Sequence, residues 1–150
     1  MVELSALLHD VGKVAVPREV LDKPGPLDER EWALMHRHSI EGQRMVEGSD
    51  ASLATIGHVV RSCHERWDGG GYPDGLAGVA IPLAARIVAV ADAYSAMTSD
   101  RPYRRALPEG RARRELRANA GSQFDSAVVD AALAVLARGW SGPRSEHWAR

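Results

Sequence analysis

Histidine and aspartate side chains occur in four separate stretches of the sequence, where they could bind a metal ion together. His9 and Asp10 end a short apolar stretch, while His38, His64 and Asp92 fall in three later segments with helical periodicity. Imidazole and carboxylate ligands together suit iron or manganese as well as zinc. Two close ions lower the pKa of a shared water and bind the attacking and leaving oxygens of a phosphate ester. The residue types therefore point to metal-dependent hydrolysis.

Helical projection at about 100° per residue places three of these side chains on the faces that point to the core. His38, His64 and Asp92 share faces with the apolar residues of their helices, whereas His36 points to the other side of its helix. One inward histidine alone is more often a hydrogen-bonded core residue. Three helices that each direct a potential ligand inward, together with the His-Asp pair, favour a shared metal site.

Asp92 has an alternative explanation as one partner of a buried salt bridge. A buried carboxylate is costly unless it meets a cation, a positive side chain or a proton. Arg86 lies on the same predicted helix, but it projects well away from Asp92. The spacing therefore favours a metal ion as the partner of this carboxylate.

The elements that must position these residues are all predicted to be helices, because no alternating strand pattern of useful length is present. Asp28 and Glu31 form a capping-box pattern at the start of the longest helix. Gly69–Gly70–Gly71 and Pro73 require a loop. A second loop follows Gly12 and contains three prolines. We expect helices over residues 2–10, 28–46, 50–65, 82–97, 108–119 and 126–138.

Composition sets the remaining limits. The 150 residues are 45% hydrophobic and 26% charged, as in one globular domain, and we expect a domain over residues 1–139 with a polar tail over 140–150. The net charge of −1 argues against binding to duplex DNA. The lone Cys63 excludes an intrachain disulfide. The longest apolar stretch is too short and too charged to span a membrane, so we expect a cytoplasmic protein.

Two segments resemble the motifs of a known family. Residues 9–13 read HDVGK, and residues 64–73 read HERWDGGGYP; they are similar to the HD and GYP motifs of the HD-GYP family of metal-dependent phosphohydrolases. The downstream segments 90–94 (VADAY) and 98–104 (TSDRPYR) match as well, so that the resemblance covers about residues 4–124. The long ordered set is far more specific than the HD dipeptide alone.

The resemblance implies an all-α HD-domain helical bundle with two or three divalent metal ions, iron or manganese, that hydrolyses cyclic di-GMP to the linear dinucleotide or to GMP. It implies metal ligands, with Asp10 bridging two ions, at His9, Asp10, His38, His64 and Asp92. It implies catalytic roles for Asp10 and Lys13. Phosphate contacts would come from Lys13, Arg101 and Arg104, and the substrate pocket would be shaped by Gly71, Tyr72 and Pro73.

Three departures from the family pattern bear on activity. Cys63 stands where the family has a histidine, and it either binds metal as a thiolate or fills space as a small apolar residue. Only eight residues precede His9, so we expect the bundle to lack the usual N-terminal helix, which carries a further histidine ligand. A fragment of a longer protein, a misassigned start or a lost element would each explain this. Ser95 stands where an acidic residue is common.

Three functions therefore compete. The first is a cyclic di-GMP phosphodiesterase, and the second is a degenerate, inactive HD-GYP module that acts through protein or nucleotide binding. The third is an HD phosphohydrolase for another nucleotide, against which the intact block Gly71–Tyr72–Pro73 argues. A homodimer, or an upstream sensor or receiver domain, is the expected partner.

Two tryptophans lie near the predicted site segments. Trp32 falls toward the flank of its helix, where packing is the favoured role. Trp67 borders the glycine-rich loop and either packs or stacks on a guanine, with packing favoured here too.

Overall fold

The computed structural model describes residues 1–100 and 105–139. Arg101 and Arg104, which the sequence predicts to bind phosphate, lie outside the described residues, as does the predicted tail 140–150. The domain boundary at residue 139 stays a prediction.

The fold is all-α, as predicted, and the described residues contain no strand. Its α-helices are α1 (Val2–Leu8), α2 (Arg18–Leu21), α3 (Glu29–Ser49), α4 (Ala54–Ser62), α5 (Leu83–Thr98), α6 (Glu109–Ala118) and α7 (Ser126–Ala137). Short 3₁₀ helices occupy Val11–Ala15, Ala51–Leu53 and Gly78–Ala80. The predicted loop after Gly12 was therefore wrong in part, because it contains a 3₁₀ helix and the single turn of α2.

The start of α3 follows the sequence pattern closely. The Asp28 carboxylate accepts a hydrogen bond from the backbone N–H of Glu31, and the Glu31 carboxylate accepts one from the N–H of Asp28. These reciprocal bonds satisfy two donors that a helix N-terminus leaves without partners. The predicted capping box is thus confirmed.

The end of α4 differs from the prediction. We expected this helix to reach residue 65, but it ends at Ser62, and His64 lies in the turn that follows. Hydrogen bonds from Cys63 N to Val60 O and from Glu65 N to Ser62 O tighten the chain beyond the helix. His64 is therefore oriented by the turn and not by the helix periodicity.

Two apolar clusters hold the helices together, and α5 contributes to both. The first joins α5 to α6 and α7 through Val90, Leu116, Phe124, Val128, Val129, Leu133 and Leu136. The second joins α4 to the start of α5 through Val59, Cys63, Ile81, Ala84, Ala85 and Val88. Helix α3 packs against α4 and against the 3₁₀ helix Val11–Ala15. The end of α1, the middle of α3 at His38 and the end of α4 are thereby brought to one region beside α5.

Across residues 1–100 and 105–139, no helix combines the length and apolar character needed to cross a membrane.

Candidate metal centre

The carboxylate of Asp10 lies among three imidazoles. Its Oδ1 is 3.6 Å from His38 Nε2 and 3.9 Å from His64 Nε2, while its Oδ2 is 3.5 Å from His9 Nε2. The Nε2 atoms of His38 and His64 are 2.9 Å apart. Asp10, His38 and His64 each offer one ligand atom within 4.8 Å of the others. The tertiary structure thus joins residues from three distant stretches of the sequence at one point.

Local hydrogen bonds leave the inward nitrogens of two imidazoles available. The Nδ1 atoms of His9 and His38 lie 2.7 Å from the backbone oxygens of Ala6 and Met35, respectively. Each carbonyl oxygen accepts a hydrogen bond from Nδ1–H, so the neutral ring carries a lone pair on Nε2. Such a bond fixes both the tautomer and the orientation of a metal-binding histidine.

The electrostatics of the cluster suit a cation. Burial lowers the pKa of His64 to about 4, and the neighbouring His38 adds to this effect. Burial also lowers the pKa of His38. Burial alone would raise the pKa of Asp10, but the hydrogen bond from Lys13 and the nearby His9 lower it below the ordinary value. Near pH 7 His38 and His64 are therefore neutral and Asp10 is ionised, which are the protonation states that bind metal.

One buried carboxylate oxygen shows that these residues are suited to a metal ion. Asp10 Oδ1 is shielded from solvent and has no hydrogen-bond partner among the described residues. A buried carboxylate oxygen without a partner is costly, and a bound cation removes that cost. This oxygen faces His38 and His64, so the residues present are suited to holding a divalent metal ion.

Asp92 lies at the edge of the cluster. Its Oδ1 is 3.8 Å from His9 Nε2, but the side chain is 45% exposed, so it is not the deeply buried carboxylate that the helix projection indicated. The projection placed Asp92 within an apolar face of α5. In the fold, a cavity that opens to solvent lies beside α5 at this residue, so the carboxylate is partly exposed. Arg86 pairs instead with Asp125 at 2.6 Å, so it is not the partner of Asp92.

Lys13 reaches Asp10 from the 3₁₀ helix. Its Nζ lies 2.6 Å from Asp10 Oδ2. The helix Val11–Ala15 lies close against α3 at Gly12, where a Cβ atom would come within 1.9 Å of the backbone oxygen of His38. The glycine in the HDVGK segment therefore allows Asp10 and Lys13 to approach His38.

The thiol of Cys63 is directed elsewhere. It donates a hydrogen bond to the backbone oxygen of Val59 at 3.0 Å, and the residue is only 3% exposed within the apolar cluster of α4 and α5. Burial, together with the negative charges of Asp92 and Asp10, raises the pKa of this thiol to about 12. Of the two roles considered from the sequence, these contacts favour packing over metal binding.

Tyr72 packs against the cluster from the glycine-rich loop. Its ring stacks on His64 with centroids 5.1 Å apart, and on His36 with centroids 3.8 Å apart. At Gly71 a Cβ atom would come within 2.3 Å of Arg66 N, so the loop folds back closely on itself. Gly71 and Tyr72, with His64 and Asp92, line a cavity of about 480 Å³; Pro73 does not. That volume lies within the range of small-molecule binding sites.

The structure adds two residues that the sequence did not single out. His36, predicted to point away, contacts Tyr72 and lines the cavity, because the glycine-rich loop reaches across that face of α3. Glu65 is buried and accepts hydrogen bonds from the backbone N–H groups of Asp74 and Leu76, which anchors the loop. An acid next to a loop whose backbone N–H groups need acceptors is a signal that could have identified Glu65, whereas no local signal could have identified His36.

Comparison with known proteins identifies the family. The family model described as the HD domain matches residues 1–128. The chain is 48% identical over 134 residues to the cyclic di-GMP phosphodiesterase response regulator RpfG of Xanthomonas campestris, which covers 89% of this chain and 35% of that protein. It is 37% identical over 149 residues to 3'3'-cGAMP-specific phosphodiesterase 2 of Vibrio cholerae, covering 99% of this chain and 26% of that protein.

Among solved structures, a cyclic GMP-AMP specific phosphodiesterase of V. cholerae (V-cGAP3) superposes with a TM-score of 0.69 at 18% identity, over 91% of this chain and 37% of that one. This match shows the common fold. The chain spans roughly a quarter to a third of the length of these relatives. The resemblance noted in the sequence is thus confirmed: the chain belongs to the HD domain family, and its type is HD-GYP.

Proposed function

We propose that this domain is a metal-dependent phosphodiesterase that hydrolyses cyclic di-GMP to the linear dinucleotide or to GMP. The observation that carries the proposal is the buried Oδ1 of Asp10, which has no hydrogen-bond partner within residues 1–100 and 105–139 and faces the Nε2 atoms of His38 and His64 beside an open cavity. Relatives named as cyclic di-GMP phosphodiesterases support the choice of substrate.

The combination of imidazole and carboxylate ligands supports iron or manganese. Asp10 has His38 near one carboxylate oxygen and His9 near the other, which supports two ions. A third ion is implied by the family resemblance. The ions would be held by His9, Asp10, His38, His64 and Asp92. When bound, such ions polarise a phosphate and lower the pKa of a coordinated water. Cys63 stays a predicted ligand that its contacts do not support.

The side chains around the cluster would bind and orient the substrate. Lys13, whose Nζ lies at Asp10 Oδ2, can neutralise a phosphate oxygen placed beside that carboxylate. Tyr72 covers one face of His64 and limits access of water from that side. Phosphate binding by Arg101 and Arg104 stays a prediction, as do the homodimer, the sensor or receiver domain and the cytoplasmic location.

Another cyclic dinucleotide is a second candidate substrate, because several relatives are named as 3'3'-cGAMP-specific phosphodiesterases. The inactive module is less well supported, because the cluster retains a buried carboxylate oxygen that needs a cation.

One experiment addresses these alternatives. Purified protein is analysed for metal content and then incubated with either cyclic di-GMP or 3'3'-cGAMP in the presence of Fe²⁺ or Mn²⁺, followed by chromatography of the nucleotides. We expect bound metal and conversion of cyclic di-GMP at a higher kcat/KM than that of 3'3'-cGAMP. Metal-free protein that leaves both dinucleotides intact would contradict the proposal.

The Asp10→Ala variant tests the assigned site. We expect it to lose bound metal and to reduce turnover roughly 100-fold or more, since even residues outside the ligand shell cost 10–100-fold. Asp22→Ala is the control, because Asp22 is exposed directly after α2 and its carboxylate pairs, among the residues that the structure describes, with Arg18 alone. Activity that survives in Asp10→Ala would refute the assignment.

A further inference from the structure

Four rings form a column that leads from the surface to the metal cluster. Trp32 contacts His36, His36 stacks on Tyr72, and Tyr72 stacks on His64. The successive ring centroids are 5.3, 3.8 and 5.1 Å apart. The His36–Tyr72 and Tyr72–His64 pairs are almost parallel, with interplanar angles of 11° and 12°, whereas the Trp32 ring is tilted by 48° to that of His36. The outermost ring is thereby connected to a metal ligand through direct aromatic contacts.

The outer end of this column is open. Trp32 is 48% exposed, and it lines the same cavity of about 480 Å³ that His64 and Asp92 line at the cluster. An isolated exposed apolar residue needs no explanation. Here, however, the indole is supported by the His36 ring on the wall of a concave site, an arrangement that presents a flat apolar surface to a ligand.

The cavity has the metal cluster at one end and Trp32 at the other, and these ends suit the two parts of a nucleotide. Its phosphate needs cations, which the metal cluster and Lys13 are suited to supply. Its base is planar and stacks on aromatic side chains whatever its identity, because every base has a π-face. The ribose separates phosphate from base, so a surface that binds the base has to lie to one side of the cluster.

We propose that Trp32, supported by His36, binds a nucleobase of the cyclic dinucleotide by stacking. This inference rests on the proposed function, because it takes the cyclic dinucleotide as the ligand. It assigns Trp32 a role in substrate binding in place of the packing role that the sequence favoured.

The test compares a substrate that has bases with one that has none. Metal-loaded wild type, Trp32→Ala and Trp32→Phe are assayed with cyclic di-GMP and with bis(p-nitrophenyl) phosphate, a phosphodiester without a nucleobase. The aryl rings of this ester are bonded directly to phosphate oxygens, so with the phosphate at the cluster they are held beside His64, three ring contacts away from Trp32. For Trp32→Ala we expect the ratio of kcat/KM for cyclic di-GMP to kcat/KM for the nitrophenyl ester to fall about tenfold, mainly through KM. Trp32→Phe, which keeps a flat ring, should restore most of that ratio.

Leu34→Ala is the matched control. Leu34 lies on the same helix and is 36% exposed, but it lines a different cavity, with Val16 and Arg37. This variant should leave the ratio unchanged. Thermal unfolding of each variant shows whether the fold is retained, and Trp32→Phe decides the question if Trp32→Ala unfolds.

The outcomes separate the two proposals. An unchanged ratio in Trp32→Ala, or a ratio in Trp32→Phe as low as in Trp32→Ala, overturns the stacking role. Wild type that cleaves the nitrophenyl ester but not cyclic di-GMP also overturns it and leaves only a metal-dependent esterase. If wild type cleaves neither substrate, the proposed function fails, and calorimetric titration with cyclic di-GMP then decides the stacking role. Binding to Trp32→Ala that is about tenfold weaker than binding to wild type supports this role. Equal binding to the two proteins, or no binding to either, overturns it.

Discussion

The two oxygens of the Asp10 carboxylate face different groups. Oδ1 lies toward His38 and His64, and Oδ2 lies toward His9 and Lys13. His9 and Asp10 are adjacent, and neighbouring residues on a helix point in different directions. They meet because α1 ends at Leu8 and the backbone of Asp10 has left the helical conformation, with φ −104° and ψ 2°. This geometry supports the proposal that Asp10 bridges two ions.

Cys63 allows a test of one residue's role. Because its thiol lies in an apolar cluster and donates to Val59 O, we expect Cys63→Ala to keep the metal content of the wild type. Removal of one buried heavy atom should lower the free energy of unfolding by about 1 kcal/mol. Elemental analysis and urea unfolding measure the two effects.

The control for this substitution is Ser95→Ala, on the neighbouring helix and without a place in the metal cluster. Loss of metal from Cys63→Ala, with the metal content of Ser95→Ala unchanged, would return Cys63 to the ligand set.

At the level of elements, the 3₁₀ helix Val11–Ala15 depends on Gly12 for its distance from α3. A Cβ atom at Gly12 would lie 1.9 Å from His38 O and 2.4 Å from Gly42 N, both of them backbone atoms that cannot rotate away. We expect Gly12→Ala to displace this 3₁₀ helix, lower stability by about 2–3 kcal/mol and reduce metal content, because Asp10 and Lys13 move with it.

Gly48→Ala is the matched control for Gly12→Ala. Gly48 lies near the end of α3, and a Cβ atom there would meet nothing within 4 Å. Alanine favours the helix over glycine, so this variant should be slightly more stable with the same metal content. Equal metal content in Gly12→Ala and wild type would show that the close approach does not position Asp10.

Helices α5 and α7 are joined by a largely buried ion pair. The guanidinium of Arg86 donates to Asp125 Oδ2 at 2.6 Å, and Asp125 Oδ1 also caps α7 by accepting from Ala127 N. Burial alone would raise the pKa of Asp125, but the bond from Arg86 and the backbone N–H of Ala127 lower it below the ordinary value. Ionised Asp125 therefore stabilises the fold.

This pair predicts a pH dependence. Asp125→Asn keeps a capping oxygen but loses the charge, so we expect it to lower the free energy of unfolding by about 2 kcal/mol at pH 7. Since the folded pKa lies below the unfolded one, the contribution is complete above about pH 4 and is lost as the pH falls through the folded pKa.

Urea unfolding of wild type and variant between pH 7 and pH 3 measures this difference. Asp130→Asn, at an exposed position of α7, is the control and should change stability little at any pH. A difference between Asp125→Asn and wild type that grows on acidification would contradict the assignment.

At the scale of the whole molecule, the metal cluster joins the N-terminal segment to α3 and to the turn after α4. A ligand that binds only the folded protein stabilises it, by about 2.7 kcal/mol at a free concentration 100 times Kd. We expect chelation to lower Tm by roughly 5–10 °C, and added Mn²⁺ to restore it. Calorimetry of Asp10→Ala is the control, in which chelation should have little effect. The same Tm for wild type with and without chelator would contradict a bound structural cation.

Patterns within short stretches of the sequence are enough to predict the helices and the kind of site. The extents of α3, α5, α6 and α7, the capping box at Asp28 and the family follow from periodicity, capping and motifs, which act over a few residues. The sequence also indicated which residue types would meet, since ligand chemistry belongs to the side chains themselves.

Which atoms face one another depends on the packing of distant segments. The exposure of Asp92, the contact of Cys63 with Val59, and the placement of His36 on Tyr72 depend on how distant segments pack. The loop beyond the turn after α4 shows the reason most clearly. Its Trp67 and Asp68 N–H groups donate hydrogen bonds to the backbone oxygens of Gln123 and Ser122, far along the chain. Such contacts leave no periodic signal in either segment, since each exists only when both are folded together.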